Sequence, residues 1–269
     1  MTPSVFACSL GRVALLDLGC SIIEHAHPHA QILVKISGPD RRIPIAGAAH
    51  VLSDTNAIFL EPWAPHAGVP DNGGTPTRIL AFDIDTAPSK ASATQRTFHP
   101  DGMQGRRIIL PRALRGAVIE FHCRMEAGLA TQEQADALID LLSGVCRMNP
   151  VESSRAAALD YRIRRVVNSV QSNPALGNNL SDCAQLAGLS RQHFFFLFRS
   201  STGMSPRLFC NSVRLETAVR TLLDETTLIG SISARLGFSA PSHFTRFFLQ
   251  HLGATPQRFR EGARLITHR

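Results

Sequence analysis

No apolar run in the chain approaches the roughly 18–20 residues that a membrane span needs. The opening stretch Met1-Thr2-Pro3-Ser4-Val5-Phe6-Ala7-Cys8 lacks the basic segment and apolar core of a secretory signal. No membrane partner is expected, and the cytoplasm is the expected location. The six cysteines (Cys8, Cys20, Cys123, Cys146, Cys183, Cys210) are scattered without a C-x-x-C pair, so reduced, packed thiols are expected rather than a thiolate metal site. Neither an acid/base pair nor a nucleophile constellation is evident, and no enzyme is expected. Charged residues make up only 18% of the chain against 44% hydrophobic ones, the balance of an ordinary globular protein. At 269 residues there is enough chain for two cores.

The formal charge of +7 is unevenly placed. Residues 1–150 hold 13 Lys+Arg against 14 Asp+Glu, whereas residues 151–269 hold 15 against 7, and all 15 are Arg. A C-terminal part of excess Arg suits phosphate and guanine contacts. A solvated basic face would give the same count, so charge alone does not decide.

A duplication organises that basic part. His193, Phe194, Phe198, Gly203, Pro206 and Phe209 recur 50 residues later as His243, Phe244, Phe248, Gly253, Pro256 and Phe259. Gly188 recurs as Gly237, at an offset of 49. Each copy reads as helix, tight turn, helix. In the first, Ser181 is placed to cap a short helix, Gly188 stops it, and Ser190 caps a second helix over 191–199. In the second, Gly237 makes the turn, Ser239 is the expected cap, and the helix covers 240–249 with Pro241 in its first turn. The stripes Phe194/Leu197/Phe198 and Phe244/Phe247/Phe248 face inward by helical spacing. That leaves Arg191, Gln192, Phe195, Phe196 and Arg199 outward in one helix, and Pro241, Ser242, Thr245 and Arg246 in the other. Apolar positions between Leu208 and Leu223 predict a long connecting helix over 205–223.

These motifs, LSDCAQLAGLSRQHF from Leu180, RLETAVRTLL from Arg214, GFSAPSHFTRFF from Gly237 and GATPQRFR from Gly253, together resemble the DNA-binding domain of AraC-type regulators over about residues 160–265. The resemblance implies two helix-turn-helix units reading successive major grooves of double-stranded DNA about 10 bp apart. It also implies contact with RNA polymerase. The outward residues just named become the candidate DNA contacts: Gln192 for adenine, Arg246 for guanine or phosphate, Ser242 and Thr245 for phosphate. Phe196 departs from the pattern, standing where an arginine is usual, and Phe195 precedes it. Thymine methyl contact or packing on the protein are the two readings of this pair. Ser233 replaces the usual alanine of the second unit, which reads as structural.

Residues 1–90 read as short strands, Val13–Leu18, Ile32–Ile36, Ala57–Leu60 and Ile79–Ile84, separated by turns at 38–40 and 70–76. A small barrel or sandwich follows. His25-Ala26-His27-Pro28-His29-Ala30-Gln31 and Pro62-Trp63-Ala64-Pro65-His66 resemble the cupin-type sensor that precedes many AraC-type DNA-binding domains. Two chemistries fit: a divalent metal held by His25, His27 and His66 with His29 or Gln31 to spare, or a small-molecule effector lined by His25, His27, Gln31, Trp63 and His66. Histidines that merely satisfy turn hydrogen bonds are the bland alternative. The glutamate that metal-binding cupins place after H-x-H is missing, Gln31 or its apolar neighbours standing there.

Residues 112–146 predict two amphipathic helices, with Leu114, Val118 and Phe121, then Leu138, Leu141, Leu142 and Val145. This αα-hairpin resembles those through which related sensors form homodimers, although the same faces could pack on the barrel. The expected α+β organisation is therefore a cupin-like β-barrel with a helical hairpin over 1–148, a linker near 149–158, and an all-α domain with two helix-turn-helix units over 160–269. Its expected role is effector-responsive DNA binding; the alternative is a metal-binding cupin, sensor or enzyme, fused to a DNA-binding domain.

Overall fold

A computed structural model describes residues 4–19, 21–69, 75–85, 104–148, 159–224 and 226–267. The turn at 70–74 and the expected linker at 149–158 lie outside them. Ten strands are described: β1 (Ser4–Cys8), β2 (Gly11–Asp17), β3 (Ile22–His25), β4 (Ala30–Ser37), β5 (Arg41–Ile45), β6 (Ala48–Leu52), β7 (Asn56–Leu60), β8 (His66–Gly68), β9 (Arg78–Ile84) and β10 (Gly105–Ile109). They form a six-stranded sheet, β1-β2-β9-β4-β7-β10, and a four-stranded sheet, β3-β8-β5-β6, with antiparallel pairing throughout.

The central strands of the large sheet are apolar because both of its faces are covered. Side chains alternate across a strand. Val13, Leu15, Ile32, Val34, Phe59, Leu80 and Phe82 share one buried cluster, while Ala14, Leu33, Ile58, Leu60, Ile79 and Ala81 share another. The register carries the alternation across strands: Leu33 pairs with Ile58 and with Ala81, and Val13 with Phe82. The four expected strands correspond to β2, β4, β7 and β9. The other six escaped the hydrophobic pattern because they are short or interrupted; β5, for example, reads Arg-Arg-Ile-Pro-Ile.

Helices α1 (Arg112–Glu126) and α2 (Gln132–Arg147) cover the outer face of the large sheet. A reciprocal capping box between Thr131 and Gln134 starts α2. Leu114, Val118, Phe121, Leu138 and Leu142 enter the sheet's outer cluster, and Phe121 meets Phe6 edge to face at 6.0 Å. The predicted apolar faces thus pack on the sheet, whereas Leu141 is 57% exposed.

The remaining chain is helical: α3 (Tyr161–Ser172), a 3-10 turn (Pro174–Asn178), α4 (Leu180–Leu186), α5 (Arg191–Thr202), α6 (Pro206–Asp224), α7 (Ile229–Arg235), α8 (Pro241–Leu252) and α9 (Pro256–Thr267). Pairs α4/α5 and α7/α8 are the two helix-turn-helix units, joined by α6. Gly188, Gly237, Gly203 and Gly253 all take the left-handed conformation, with φ of 67°, 74°, 75° and 71°, as the repeat required. Two caps differ from expectation. Asn179, not Ser181, caps α4, its side chain accepting from Ser181 N, because the helix starts two residues earlier than read. Ala240 occupies the cap of α8 without a side-chain bond, since Ser239 Oγ is paired with His243 Nδ1 at 2.9 Å. Ser190 caps α5 as predicted.

The two units touch through Asn178, whose Nδ2 donates to Gly237 O at 2.7 Å. They also touch through Arg214 of α6, whose guanidinium lies 3.8 Å from the ring centre of Phe238. A Cβ at position 237 would run into Asn178 Nδ2 and stand 3.0 Å from Ala175 Cβ, whereas one at 188 meets nothing within 4 Å. Gly188→Ala should therefore cost only the left-handed backbone penalty of about 1 kcal/mol. Gly237→Ala adds the loss of a hydrogen bond and should cost about 3 kcal/mol. Thermal melts of both variants check this, and equal losses would contradict the contact.

Candidate functional site

Two sites emerge. The first is the outward surface of α5 and α8. Along residues 191–200 and 241–250 the order of buried, half-buried and exposed positions is the same, so the repeat extends from sequence to packing. Phe194 and Phe198, and likewise Phe244 and Phe248, are fully buried and anchor each helix. Arg191, Gln192, Phe196 and Arg199 are exposed in the first unit, as are Pro241, Ser242 and Arg246 in the second. Phe195 corrects its expected place: it is half-buried, edge-on to Phe194 at 5.9 Å, with the Arg191 guanidinium 5.6 Å from its ring. Spacing set Phe195 beside Phe196, yet only Phe196, 71% exposed, projects freely. Thr245 holds the equivalent half-buried position, and its hydroxyl donates to Pro241 O at 3.0 Å. Ser233 is buried, its hydroxyl 3.4 Å from Ala240 O.

The second site lies between the β-domain and the helices. Helices α6 and α8 pack on β3, and α9 packs on β1, so the interior of the β-domain and the core of the helical domain form one continuous apolar cluster. Trp63 meets Phe209 there at 5.3 Å, and Ala26 N donates to Ser212 Oγ at 2.9 Å. A cavity of about 90 Å³ remains within this junction. His25, His27, Gln31 and His66 line it, together with the apolar side chains Leu215, Val219 and Leu252 from the helices. Trp63 does not line it; that ring is part of the junction's core and of a wider outer cleft of about 540 Å³.

Arg12, Asp83 and Glu216 line both spaces and stand between them. The Arg12 guanidinium pairs with Asp83 of β9 and, at 3.0 Å, with Glu216 of α6. Burial opposes its charge, but Glu216 and Asp83 outweigh that and hold the guanidinium above its ordinary pKa. Burial likewise opposes ionisation of Asp83 and Glu216, and Arg12 overrides it, keeping both carboxylates below their ordinary range. Gln31 Nε2 donates to Asp83 Oδ1 at 2.6 Å, and the His29 ring stands 3.3 Å from Asp83 Oδ2. Sequence reasoning missed Arg12, Asp83 and Glu216. The available signal was a lone charge inside each of two apolar strands.

The histidines cluster tightly. Ring centres of His25 and His27 lie 4.3 and 4.9 Å from that of His66, and His251 at the end of α8 stands 6.4 Å from His25. The metal expectation for His25, His27 and His66 is corrected. Among the described residues no group of three His, Cys, Asp or Glu side chains is arranged to hold a metal ion. At the place of the missing glutamate, the Gln31 amide is committed to Asp83.

Burial, with the neighbouring rings, keeps these histidines neutral. His66 is pushed down to about 3, by burial first and by His27 next. Burial and His66 lower His25, burial and His29 lower His27, and burial lowers His251. An unfolded histidine takes its proton near pH 6.5, whereas folded His66 does so only near pH 3. Between those values the unfolded chain binds more protons, so stability is complete above pH 6.5 and falls as pH drops through that window. Asp83 and Glu216, held low by Arg12, stay ionised over most of it. Melts from pH 7.5 to 5 should show a falling Tm, with His66 alone contributing about 1.4 kcal/mol per pH unit. His66→Asn should flatten the slope; a pH-independent Tm in the parent protein would contradict the neutral cluster.

Residues 183–262 match the helix-turn-helix domain family. The chain is 23% identical over 149 residues to the lactose operon transcription activator of Staphylococcus xylosus, covering 53% of each chain. It is 26% identical over 122 residues to the RCS-specific transcriptional activator RclR of Escherichia coli (strain K12), covering 45% of this chain and 43% of that one. The chain thus spans about half the length of these relatives. Its fold is similar to that of unsaturated fatty acid-bound ToxT from Vibrio cholerae, with a TM-score of 0.57 at 12% identity over 92% of this chain and 93% of that one. The helical part of this chain is an AraC-type helix-turn-helix domain, carried behind a β-domain in a fold of the ToxT kind.

Proposed function

We propose that the protein is a sequence-specific DNA-binding transcription regulator whose hold on its promoter is set by a small molecule in the cavity between the β-domain and the helices. One observation carries this reading: α6, which joins the two helix-turn-helix units, and the end of α8, a recognition helix, both form walls of the cavity. A ligand there touches the parts that set how the units are presented. Differential contact with two arrangements is what a ligand needs to shift their populations.

In this reading α5 and α8 enter successive major grooves. Arg246 pairs with guanine or phosphate, Gln192 with adenine, and Ser242 with phosphate, while Arg191, Arg199, Pro241 and Thr245 border the contact. Thr245 serves more by shape, its hydroxyl being engaged by its own helix. Phe196 offers an apolar surface to a thymine methyl, and Phe195 supports it from below. The named activators among the relatives favour recruitment of RNA polymerase. Assembly as a homodimer would use the outer side of the α1/α2 hairpin, where Leu141 is exposed, since the inner side is occupied by the sheet.

Selection of binding sites from random DNA, followed by affinity measurement at fixed salt, tests the reading. A bipartite site with halves about one helical turn apart is expected. Arg246→Ala should weaken it by about 1–3 kcal/mol and relax the base preference in one half. Phe196→Ala should relax a thymine preference in the other half with little effect on salt dependence. No selectable site, or unchanged affinity in Arg246→Ala, would refute the reading.

A further inference from the structure

The cavity has a definite hydrogen-bond polarity. A backbone carbonyl oxygen can only accept. His25 Nδ1 stands 2.9 Å from Ile23 O, His27 Nδ1 2.8 Å from His29 O, and His66 Nδ1 2.9 Å from Ala64 O. Each of these three bonds therefore requires the ring proton on Nδ1. A neutral imidazole carries only one such proton, so each Nε2 is a bare acceptor. All three rings are at least nine-tenths buried. His27 Nε2 is buried without any hydrogen-bond partner, and among the described residues His25 and His66 make their hydrogen bonds through Nδ1 alone.

The polar neighbours do not supply the missing donors. Among the described residues neither Gln31 nor Arg12 bonds to these Nε2 atoms: Gln31 gives one of its two amide N–H groups to Asp83, and Arg12 pairs with Asp83 and Glu216 and reaches the His29 ring. The facing wall from the helices offers the apolar Leu215, Val219 and Leu252 beside Glu216, a pure acceptor when ionised, and His251, whose Nδ1 is bonded to Phe247 O. An unpaired buried acceptor costs about 1–3 kcal/mol. A ligand that donates to it recovers that cost. A carboxylate instead brings lone pairs against lone pairs, gives up its own hydration, and meets the net negative charge that Asp83 and Glu216 keep with Arg12 between them.

We propose that this cavity selects a small apolar molecule bearing a hydroxyl or amine, whose hydrogen is given to His27 Nε2 with His25 and His66 alongside, and that it discriminates against carboxylates. This rests on the reading of the cavity as the effector site. It separates the chain from ToxT in head-group chemistry, since the molecule in that related structure is a fatty acid.

The test uses the full chain, treated with EDTA and held at pH 7.5, and three probes of matched body: benzyl alcohol, toluene and benzoate. Calorimetric titration should give benzyl alcohol at least about 10-fold tighter than either of the others, the worth of one recovered hydrogen bond. His27→Asn keeps a donor for His29 O through its side-chain amide but removes the ring acceptor. It should bring benzyl alcohol down to the level of toluene and leave toluene unchanged. Histidine ¹⁵N spectra of the unsubstituted protein give a check that needs no variant, with the Nδ1–H tautomer expected for all three rings. Benzoate binding as tightly as benzyl alcohol, or an Nε2–H tautomer at His27, would overturn the proposal and leave the effector-site reading intact. If none of the probes binds saturably, the effector-site reading fails and this inference with it.

Discussion

Arg12 stands between two carboxylates that come from different parts of the chain: Asp83 on the neighbouring strand and Glu216 on the helix that joins the two helix-turn-helix units. Asp83 is buried and Arg12 and Glu216 are half-buried, so withdrawing these charges from water is costly, and their mutual attraction offsets that cost only in one geometry. If the helical domain moved away, Arg12 would keep Asp83 but Glu216 would lose its partner. The network therefore acts as a register mark for docking more than as a source of stability. The burial around it depends on that register. Helix α6 is set against β3, the Trp63 and Phe209 rings meet, and the interior of the β-domain becomes continuous with the core of the helices.

The two helix-turn-helix units divide structural from reading positions. Phe194/Phe244 and Phe198/Phe248 are identical and buried, and Gly203/Gly253 are identical and left-handed. These pairs fix how each helix is held, so the duplication retains them. The exposed pairs Gln192/Ser242 and Phe196/Arg246 differ in hydrogen-bonding capacity and charge. One scaffold used twice therefore presents an apolar-centred surface and a polar one. Helix α6 holds them together through Arg214, whose guanidinium stacks on Phe238 while burial lowers its pKa to about 10.

What the sequence disclosed follows from how local each signal is. The repeat, its glycine turns and the cap at Ser190 depend on residues a few positions apart, and they were legible. Strands β2, β4, β7 and β9 stood out because burial on both sheet faces makes their central residues apolar. Strand β5, with two arginines and a proline, hid from the same test although Arg41 is buried and bonded to Leu18 O. Caps shifted by a residue or two because a serine near a helix start has other partners, as Ser239 has in His243. At the cavity, His25, His27, Gln31 and His66 were readable as a local motif. Arg12 and Glu216 are 204 positions apart, and nothing in either neighbourhood announces the other. Trp63, for which pocket wall and core anchor were equally open readings, packs against Phe209.

The location of the cavity fixes the direction of its coupling. Part of its wall belongs to the β-domain and part to α6, α8 and α9, so the space exists only while the two are docked. A molecule inside gains contact with Leu215, Val219 and Leu252 in the docked arrangement and loses it in any other. Its binding free energy therefore adds to docking, and docking in turn raises its affinity by the same factor. The buried histidines bias the same equilibrium, because they favour docking as neutral rings and oppose it once protonated. A molecule held there and a proton would then act in opposite senses on one junction, whose position is marked by Arg12 and whose helical side carries α8.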